Sequence, residues 1–293
     1  MALFSVFALM WVLIEEVIAA RLQQPYVLAQ VIWSRYAVHL LVLLALFGWR
    51  REAPLWRTGR PRFQVLRSMC MVVMPFSFIA ALQQGTPANA VWALFWVAPL
   101  LVVLIARRWT SEPIEARSFS RGAWLCAGCA LAAAVMLWPQ LRPFGWPALG
   151  IWPLAAAAMA LSFAIYLVMT RSLRAEAVQT NLFYNGLGPF LVLTPFMPGI
   201  WVMPTAHDAL VLLAIGGAGL VGLWAIDRAA AAAPLTLTAP GLYAYLPLLA
   251  AVGWWVHGQR STRREVLVVG LVAAALAHLW HLGSPGRVSR KPS

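Results

Sequence analysis

Carboxylates are scarce in this sequence. Nine Asp and Glu stand against 22 Lys and Arg among 293 residues, and charged side chains of both signs make up only 11% of the chain. A soluble domain carries about 25%, so a water-facing globule is excluded. There are three cysteines, and Cys70, Cys126 and Cys129 all lie in apolar stretches, where no disulfide framework is expected. Cys126 and Cys129 have redox or zinc-like spacing, but no second Cys or His pair completes a metal site, and on a helix the two share a face as small packing residues. The sequence also lacks a nucleotide-binding loop, a metal-ligand cluster and a nucleophile motif, so neither ATP-driven pumping nor hydrolysis has a visible engine and no cofactor is expected. No basic stretch precedes the first apolar run, which Glu15 and Glu16 interrupt, so a removable signal peptide is not expected.

What fills the chain instead is hydrophobic sequence, 62% of it. A bilayer-spanning helix needs roughly 20 apolar residues, and such stretches recur between short breaks rich in Arg, Pro or Gly. Ten spans are predicted. The first five are 2–20, 27–47, 65–83, 88–106 and 120–138; the second five are 149–169, 180–196, 209–226, 235–256 and 266–282. The fold class is therefore an all-α integral membrane protein, with the lipid bilayer as its principal partner.

The net charge of +13 belongs to the connections rather than to a soluble face, and no recognition motif accompanies it, which argues against nucleic acid. The loops after spans 2, 4, 6 and 8, with the carboxyl tail, hold Arg50, Arg51, Arg57, Arg60, Arg62, Arg107, Arg108, Arg117, Arg121, Arg171, Arg174, Arg228, Arg287, Arg290 and Lys291. The opposite side holds Arg21, Arg142, Arg260, Arg263 and Arg264. The positive-inside rule then places both termini in the cytoplasm. Arg in place of Lys almost throughout, with abundant Ala, points to a GC-rich bacterial coding sequence and hence the inner (plasma) membrane.

Five is an odd number, so a duplicated five-helix unit must insert upside down the second time, an arrangement typical of transporters. At an offset of 148, Leu94, Pro99, Leu100, Leu101 and Gly122 match Leu242, Pro247, Leu248, Leu249 and Gly270. The expected organisation is one repeat over 1–140, its inverted counterpart over 141–283, and a basic tail over 284–293. Pro99 and Pro247 each free a carbonyl inside a span, and interruptions at equivalent places in two halves point to a central binding site. Ala214, Ala218 and Gly222, with Gly216, Gly217 and Gly219, let span 8 approach a neighbour closely.

Charges within the bilayer cost about 2.5–3.5 kcal/mol each on the insertion scale, so Glu15, Glu16 and Arg35 require a partner, water or a role. Counted from the shared outer ends of spans 1 and 2, Glu15 and Arg35 lie about 8 Å and 12 Å deep, within reach of each other. Neighbouring residues point about 100° apart, so one glutamate can neutralise Arg35 while the other faces water or a substrate ammonium and carries a proton; a purely structural Glu/Arg pair is the alternative. His39 lies one turn after Arg35 on the same face, as a hydrogen-bonding group or a proton relay. Asp227 and Arg228, at the inner end of span 8, read as an interfacial pair or an inner gate, and Arg67 as a snorkelling anchor. Trp92, Trp96, Tyr243 and Tyr245 share spans with the two prolines, where rings can hold an apolar or cationic part of a substrate.

The order of these features resembles the drug/metabolite transporter superfamily, in particular its EamA-type members. The resemblance rests on Trp33-Ser-Arg-Tyr, Val65-Leu-Arg, the run from Ala80 through Gln83-Gln-Gly-Thr-Pro to Ala90, Ala98-Pro-Leu-Leu, Ala164-Ile-Tyr-Leu-Val-Met-Thr-Arg, Pro234-Leu-Thr-Leu-Thr-Ala-Pro-Gly-Leu-Tyr and Gly270. It spans nearly the whole chain, from Trp11 to His281. It implies ten helices in two inverted repeats, a central cavity, and alternating-access movement of small metabolites such as amino acids and related compounds. Where the family often shows Gly-Glu after span 9, this chain has Gly258-Gln259, and Glu112 is displaced in the first half, so no role passes to those positions. The expected function is a secondary, non-ATP-driven transporter, with export favoured, a small-molecule substrate and protons as the candidate coupling ion. A non-transporting scaffold or sensor subunit and a membrane-embedded enzyme are the alternatives, and a homodimer is left open.

Overall fold

In lipid a backbone N–H or C=O has no water to bond, so apolar spans must satisfy their backbone internally. The computed structural model of the chain describes residues 2–21, 26–49, 54–84, 88–109, 116–141, 152–258 and 262–283; within them every regular element is helical. The helices are α1 (Ala2–Arg21), α2 (Leu28–Phe47), α3 (Pro61–Gln83), α4 (Ala88–Phe95), α5 (Ala98–Trp109), α6 (Ala116–Leu141), α7 (Trp152–Ser172), α8 (Val178–Leu193), α9 (Met197–Ile200), α10 (Ala206–Ala232), α11 (Leu235–Thr238), α12 (Tyr245–His257) and α13 (Arg263–Gly283). Five stretches among the described residues are long and apolar enough to cross a membrane: α2, α3, α7, α10 and Leu235–Val256. Arg50, Arg51, the Gly85–Pro87 stretch, Glu112, Arg142, Gln259, Arg260, Arg287, Arg290 and Lys291 lie outside the described residues.

Helix ends follow local chemistry. Proline needs no hydrogen-bond donor at a first position, and Pro61 opens α3. Thr205 caps α10, its hydroxyl accepting from the Asp208 N–H at 3.2 Å, with the Asp208 carboxylate in the positive first turn. Gly258 closes α12 at φ 61°, a left-handed position that suits glycine.

Two predicted spans are not continuous. The stretch 88–106 breaks at Trp96 and Val97, separating α4 from α5, and 235–256 breaks over a 3-10 turn at Ala239–Ala244 between α11 and α12. Pro99 and Pro247 each leave a carbonyl four residues earlier without its usual donor, and Pro240-Gly241 lies inside the second break. The two breaks support each other: the Tyr243 hydroxyl lies 2.8 Å from the Trp96 carbonyl and 3.0 Å from that of Cys126. With one proton to donate, it serves these two acceptors alternately or as a shared bond.

The main packing partners are α3 with α7, α1 with α10, α3 with α8, and α2 with both α10 and α8; α4 and α5 lie on α7, and α1 lies on the 239–244 turn and α12. Glycine sets the closest approaches. A Cβ at Gly216 would sit 2.5 Å from Val38, and one at Gly188 would sit 2.6 Å from the Ser68 hydroxyl oxygen. Gly216 and Gly219 of α10 are thus contact surface for α2, whereas Gly222 faces Met10 and Phe7 of α1 and a Cβ at Gly217 would meet nothing within 4 Å. The largest apolar cluster wraps the breaks, burying Phe95, Trp96, Phe163, Tyr166, Tyr243 and Tyr245.

Candidate functional site

Beside the breaks lie two adjoining cavities that share Phe7, Trp11, Met74 and Phe163 in their walls. One reaches Trp96, Pro99 and Tyr245; the other reaches Arg35, Tyr166, Gly219 and Gly222. Their volumes, ≈ 10 and ≈ 20 Å³, suit a water molecule or two. Neither cavity holds a larger molecule unless the helices around it part. Its walls are aromatic: Trp96 lies 4.6 Å from Tyr245, Phe95 5.4 Å from Phe163, and Trp11 meets Trp92 edge-on at 5.9 Å between centroids.

Glu15 and Arg35 do not pair in this structure. Glu15 accepts from the Trp11 indole N–H at 3.0 Å and from the Tyr245 hydroxyl, joining α1 to the start of α12. The Trp11 ring lies under the Arg35 guanidinium, 5.7 Å from its centroid, so one indole offers its N–H to the carboxylate and its ring to the cation. Arg35 donates to the Tyr36 hydroxyl at 2.9 Å and lies 4.8 Å over the Tyr36 ring, while its Nε has no hydrogen-bond partner. No carboxylate among the described residues reaches ion-pair distance of it. Similar depth brought the two charges to one level; helix rotation directs them to different neighbours.

His39, one turn along, is fully buried, and neither ring nitrogen meets hydrogen-bond geometry, the Gly216 backbone included. It abuts Gly219, where a Cβ would stand 2.9 Å from His39 Nε2 and 3.0 Å from Arg35 Cδ. Among the other sequence-predicted residues, Trp92 packs on Trp11, Phe78 and Phe95 without lining either cavity. Tyr243 is buried behind the wall as the link between breaks, and Pro247 is half-buried outside it. Glu16 is half-buried and lines neither cavity.

A second polar cluster joins α3, α7, α8 and α10. Arg67 is not a snorkelling anchor: it is fully buried. It donates to Thr170 Oγ1 at 3.1 Å, to Gln64 Oε1 at 2.8 Å and to the Asn181 carbonyl at 2.7 Å. Gln64 donates to Asn181 Oδ1 at 2.7 Å, and Asn181 in turn donates to Asp227 at 3.0 Å. Arg67 and Asp227 stand 3.9 Å apart. Asp227 therefore pairs with Arg67, while its sequence neighbour Arg228 turns to the exposed face of α10. The cluster also touches the cavity, since the Arg67 guanidinium lies 5.6 Å over Tyr166, a wall residue that accepts from Asn185 at 2.7 Å. Gln64, Thr170 and Asn181 went unnoticed in the sequence; the available signal was a few amide and hydroxyl side chains near the ends of otherwise apolar spans.

A separate aromatic cluster lies where α2 meets the end of α8. Trp33 stacks on Phe190 at 5.1 Å, meets Trp201 edge-on at 5.4 Å and donates to Thr194 Oγ1 at 2.9 Å. Gln30 binds the Val202 backbone through both ends of its amide, at 2.6 and 3.0 Å.

No protein-family model and no curated protein matches the sequence. Among solved structures the chain is similar to a protein known by its crystal structure, with a TM-score of 0.77 and 15% identity over 97% of this chain and 98% of the other. At that identity the likeness shows the fold alone.

Proposed function

We propose that the chain is a secondary transporter of small amphipathic metabolites, built like drug/metabolite transporters of the EamA type from ten spans in two inverted repeats. The observation that carries this reading is the pair of broken helices, α4–α5 and α11–α12, meeting beside one cavity. Taking α4–α5, α8–α9 and α11–α12 each as one span gives ten. Packing supports the repeat. If α1, α2 and α3 correspond to α7, α8 and α10, then α3 against α7 has its counterpart in α1 against α10, and α3 against α8 in α2 against α10. The contacts of α4 and α5 with α7 likewise correspond to those of the 239–244 turn and α12 with α1.

In this reading the Arg67 cluster closes the cytoplasmic end and the Trp33 cluster the outer end, with both termini cytoplasmic in the inner membrane. Rocking of the halves opens one closure at a time. Glu15, held between Trp11 and Tyr245, is the candidate proton carrier, because breaking its bond to Tyr245 releases α12 from α1.

The test compares metabolite pools inside and outside cells making wild type or Arg35→Ala at matched membrane abundance. One compound class redistributing with wild type and not with the variant is the expected result. If neither protein alters any pool, a scaffold or sensor takes precedence; turnover of a compound by purified protein without a gradient favours an enzyme.

A further inference from the structure

The proposed transporter reading leaves open what the cavity selects, and its wall chemistry answers with an asymmetry of charge. Among the described residues Arg35 is the one charged side chain in either wall, and no acidic residue lines them. Its guanidinium is incompletely matched: one bond goes to the neutral Tyr36 hydroxyl, its faces rest on two rings, and Nε is bare. Directly behind, His39 is fully buried against the α10 backbone with neither ring nitrogen in strict hydrogen-bond geometry, an approach possible only because position 219 has no side chain. Buried polar atoms almost always have partners, and an unneutralised cation in a bilayer is costly. Both groups can donate hydrogen bonds, and the guanidinium fork matches a carboxylate.

The Glu15 carboxylate is not available to complete this site. Glu15 is held on the other edge of Trp11, its two oxygens taken by the indole N–H and the Tyr245 hydroxyl. It stands outside the cavity walls, so a substrate ammonium would meet Arg35 with no acid facing it. The rest of the wall, including Phe7, Phe95, Trp96 and Phe163, accepts an apolar body.

We propose that the cavity selects organic monoanions with an apolar or aromatic body, the anionic group being received by Arg35, with His39 behind it outside the wall, and that it discriminates against amines and zwitterions. This rests on the transporter reading for its purpose but not for its binding chemistry.

Equilibrium binding of radiolabelled phenylacetate to the full chain in lipid nanodiscs at neutral pH tests it, with benzenesulfonate, phenethylamine and phenylalanine as competitors. Phenylacetate is expected to bind, to be displaced by benzenesulfonate, and to be displaced at least tenfold less well by phenethylamine or phenylalanine. Arg35→Gln should weaken binding roughly tenfold to a hundredfold, as loss of a charged hydrogen-bond partner does, while Arg35→Lys keeps the anion preference. Equal competition by the amine or the zwitterion, wild-type affinity in Arg35→Gln, or no phenylacetate binding overturns the inference. If Arg35→Gln fails to fold, the competition series on wild type decides. Counterflow of benzenesulfonate, permanently charged, in proteoliposomes separates the two readings. Anion-selective binding without counterflow sinks transport and leaves the site, whereas counterflow of phenylalanine or phenethylamine without phenylacetate binding sinks the site and leaves transport.

Discussion

Removing either member of the Arg67–Asp227 pair is expected to do more damage than removing both. At 3.9 Å, and with an effective dielectric constant of about 20, the attraction between unit charges is about 4 kcal/mol. Breaking a buried pair by deleting one partner typically costs about 3–5 kcal/mol, because the survivor is left charged in a poor solvent. Asp227→Leu strands an Arg67 that still bonds Thr170, Gln64 and Asn181, so its cost belongs at the lower end of that range. Arg67→Met removes those three bonds together with the counter-charge and leaves Asp227 with Asn181 alone, so its cost is the larger. The double variant replaces the pair with apolar volume, which is often neutral for buried ion pairs, although Gln64 and Thr170 each lose a partner and Asn181 loses one at its carbonyl and one at its side-chain amide. A coupling of about 2–4 kcal/mol is therefore expected from the cycle. Reversible unfolding in mixed micelles, by titration with a denaturing detergent, measures all four proteins. Additive single effects, with coupling below about 0.5 kcal/mol, would refute the view that these charges stabilise each other.

Three further outcomes follow from close contacts. Gly216→Ala places a Cβ 2.5 Å from both the Cβ and the Cγ1 of Val38, so it should destabilise by about 1–3 kcal/mol and be relieved by Val38→Gly more than by Val38→Ala, which keeps the clashing Cβ, in the same unfolding assay. Tyr243→Phe leaves the Trp96 and Cys126 carbonyls at the break without their donor and should cost about 1–3 kcal/mol, seen as a lower midpoint of detergent denaturation. Trp11→Phe keeps an aromatic face beneath Arg35 but loses the N–H to Glu15, so it should slow flux in proteoliposomes while retaining ligand affinity within about threefold, a loss below 1 kcal/mol.

The helices were legible because a bilayer permits few alternatives: long apolar stretches must satisfy their own backbone, and every regular element among the described residues is helical, with five stretches long and apolar enough to cross a membrane. Pro99 and Pro247 marked the broken segments, yet the breaks lie upstream of them, at Trp96–Val97 and Ala239–Ala244. The 3-10 turn contains its own signal in Pro240-Gly241. Depth was readable by counting from a helix end, which put Glu15 and Arg35 at one level. Direction around the helix axis was not, because it depends on packing between distant segments: Glu15 finds Tyr245, 230 residues away. Arg67 misled for a related reason. One turn and a half from the start of α3 it has the length to reach water, but α7, α8 and α10 surround it and supply the Thr170 hydroxyl, the Asn181 carbonyl and the Asp227 carboxylate, beside Gln64 of its own helix.

Under the proposed repeat, Asn181 at the centre of one closure corresponds to Trp33 at the centre of the other, 148 residues earlier. The same position in two inverted units thus holds an amide that bridges charges and an indole that stacks between rings. Their opening costs have different origins. Parting the Trp33 cluster exposes aromatic surface to water, at roughly 25 cal/mol per Å², a cost that ionic strength hardly alters. Parting the Arg67 cluster separates an ion pair, and hydration of the freed charges offsets much of the lost attraction. Salt screens charges once water reaches them and leaves buried ones largely untouched, so it stabilises an opened Arg67 cluster more than the closed one. A transporter built this way responds to ionic strength at one face only, and the direction of that response follows from which closure carries the charges.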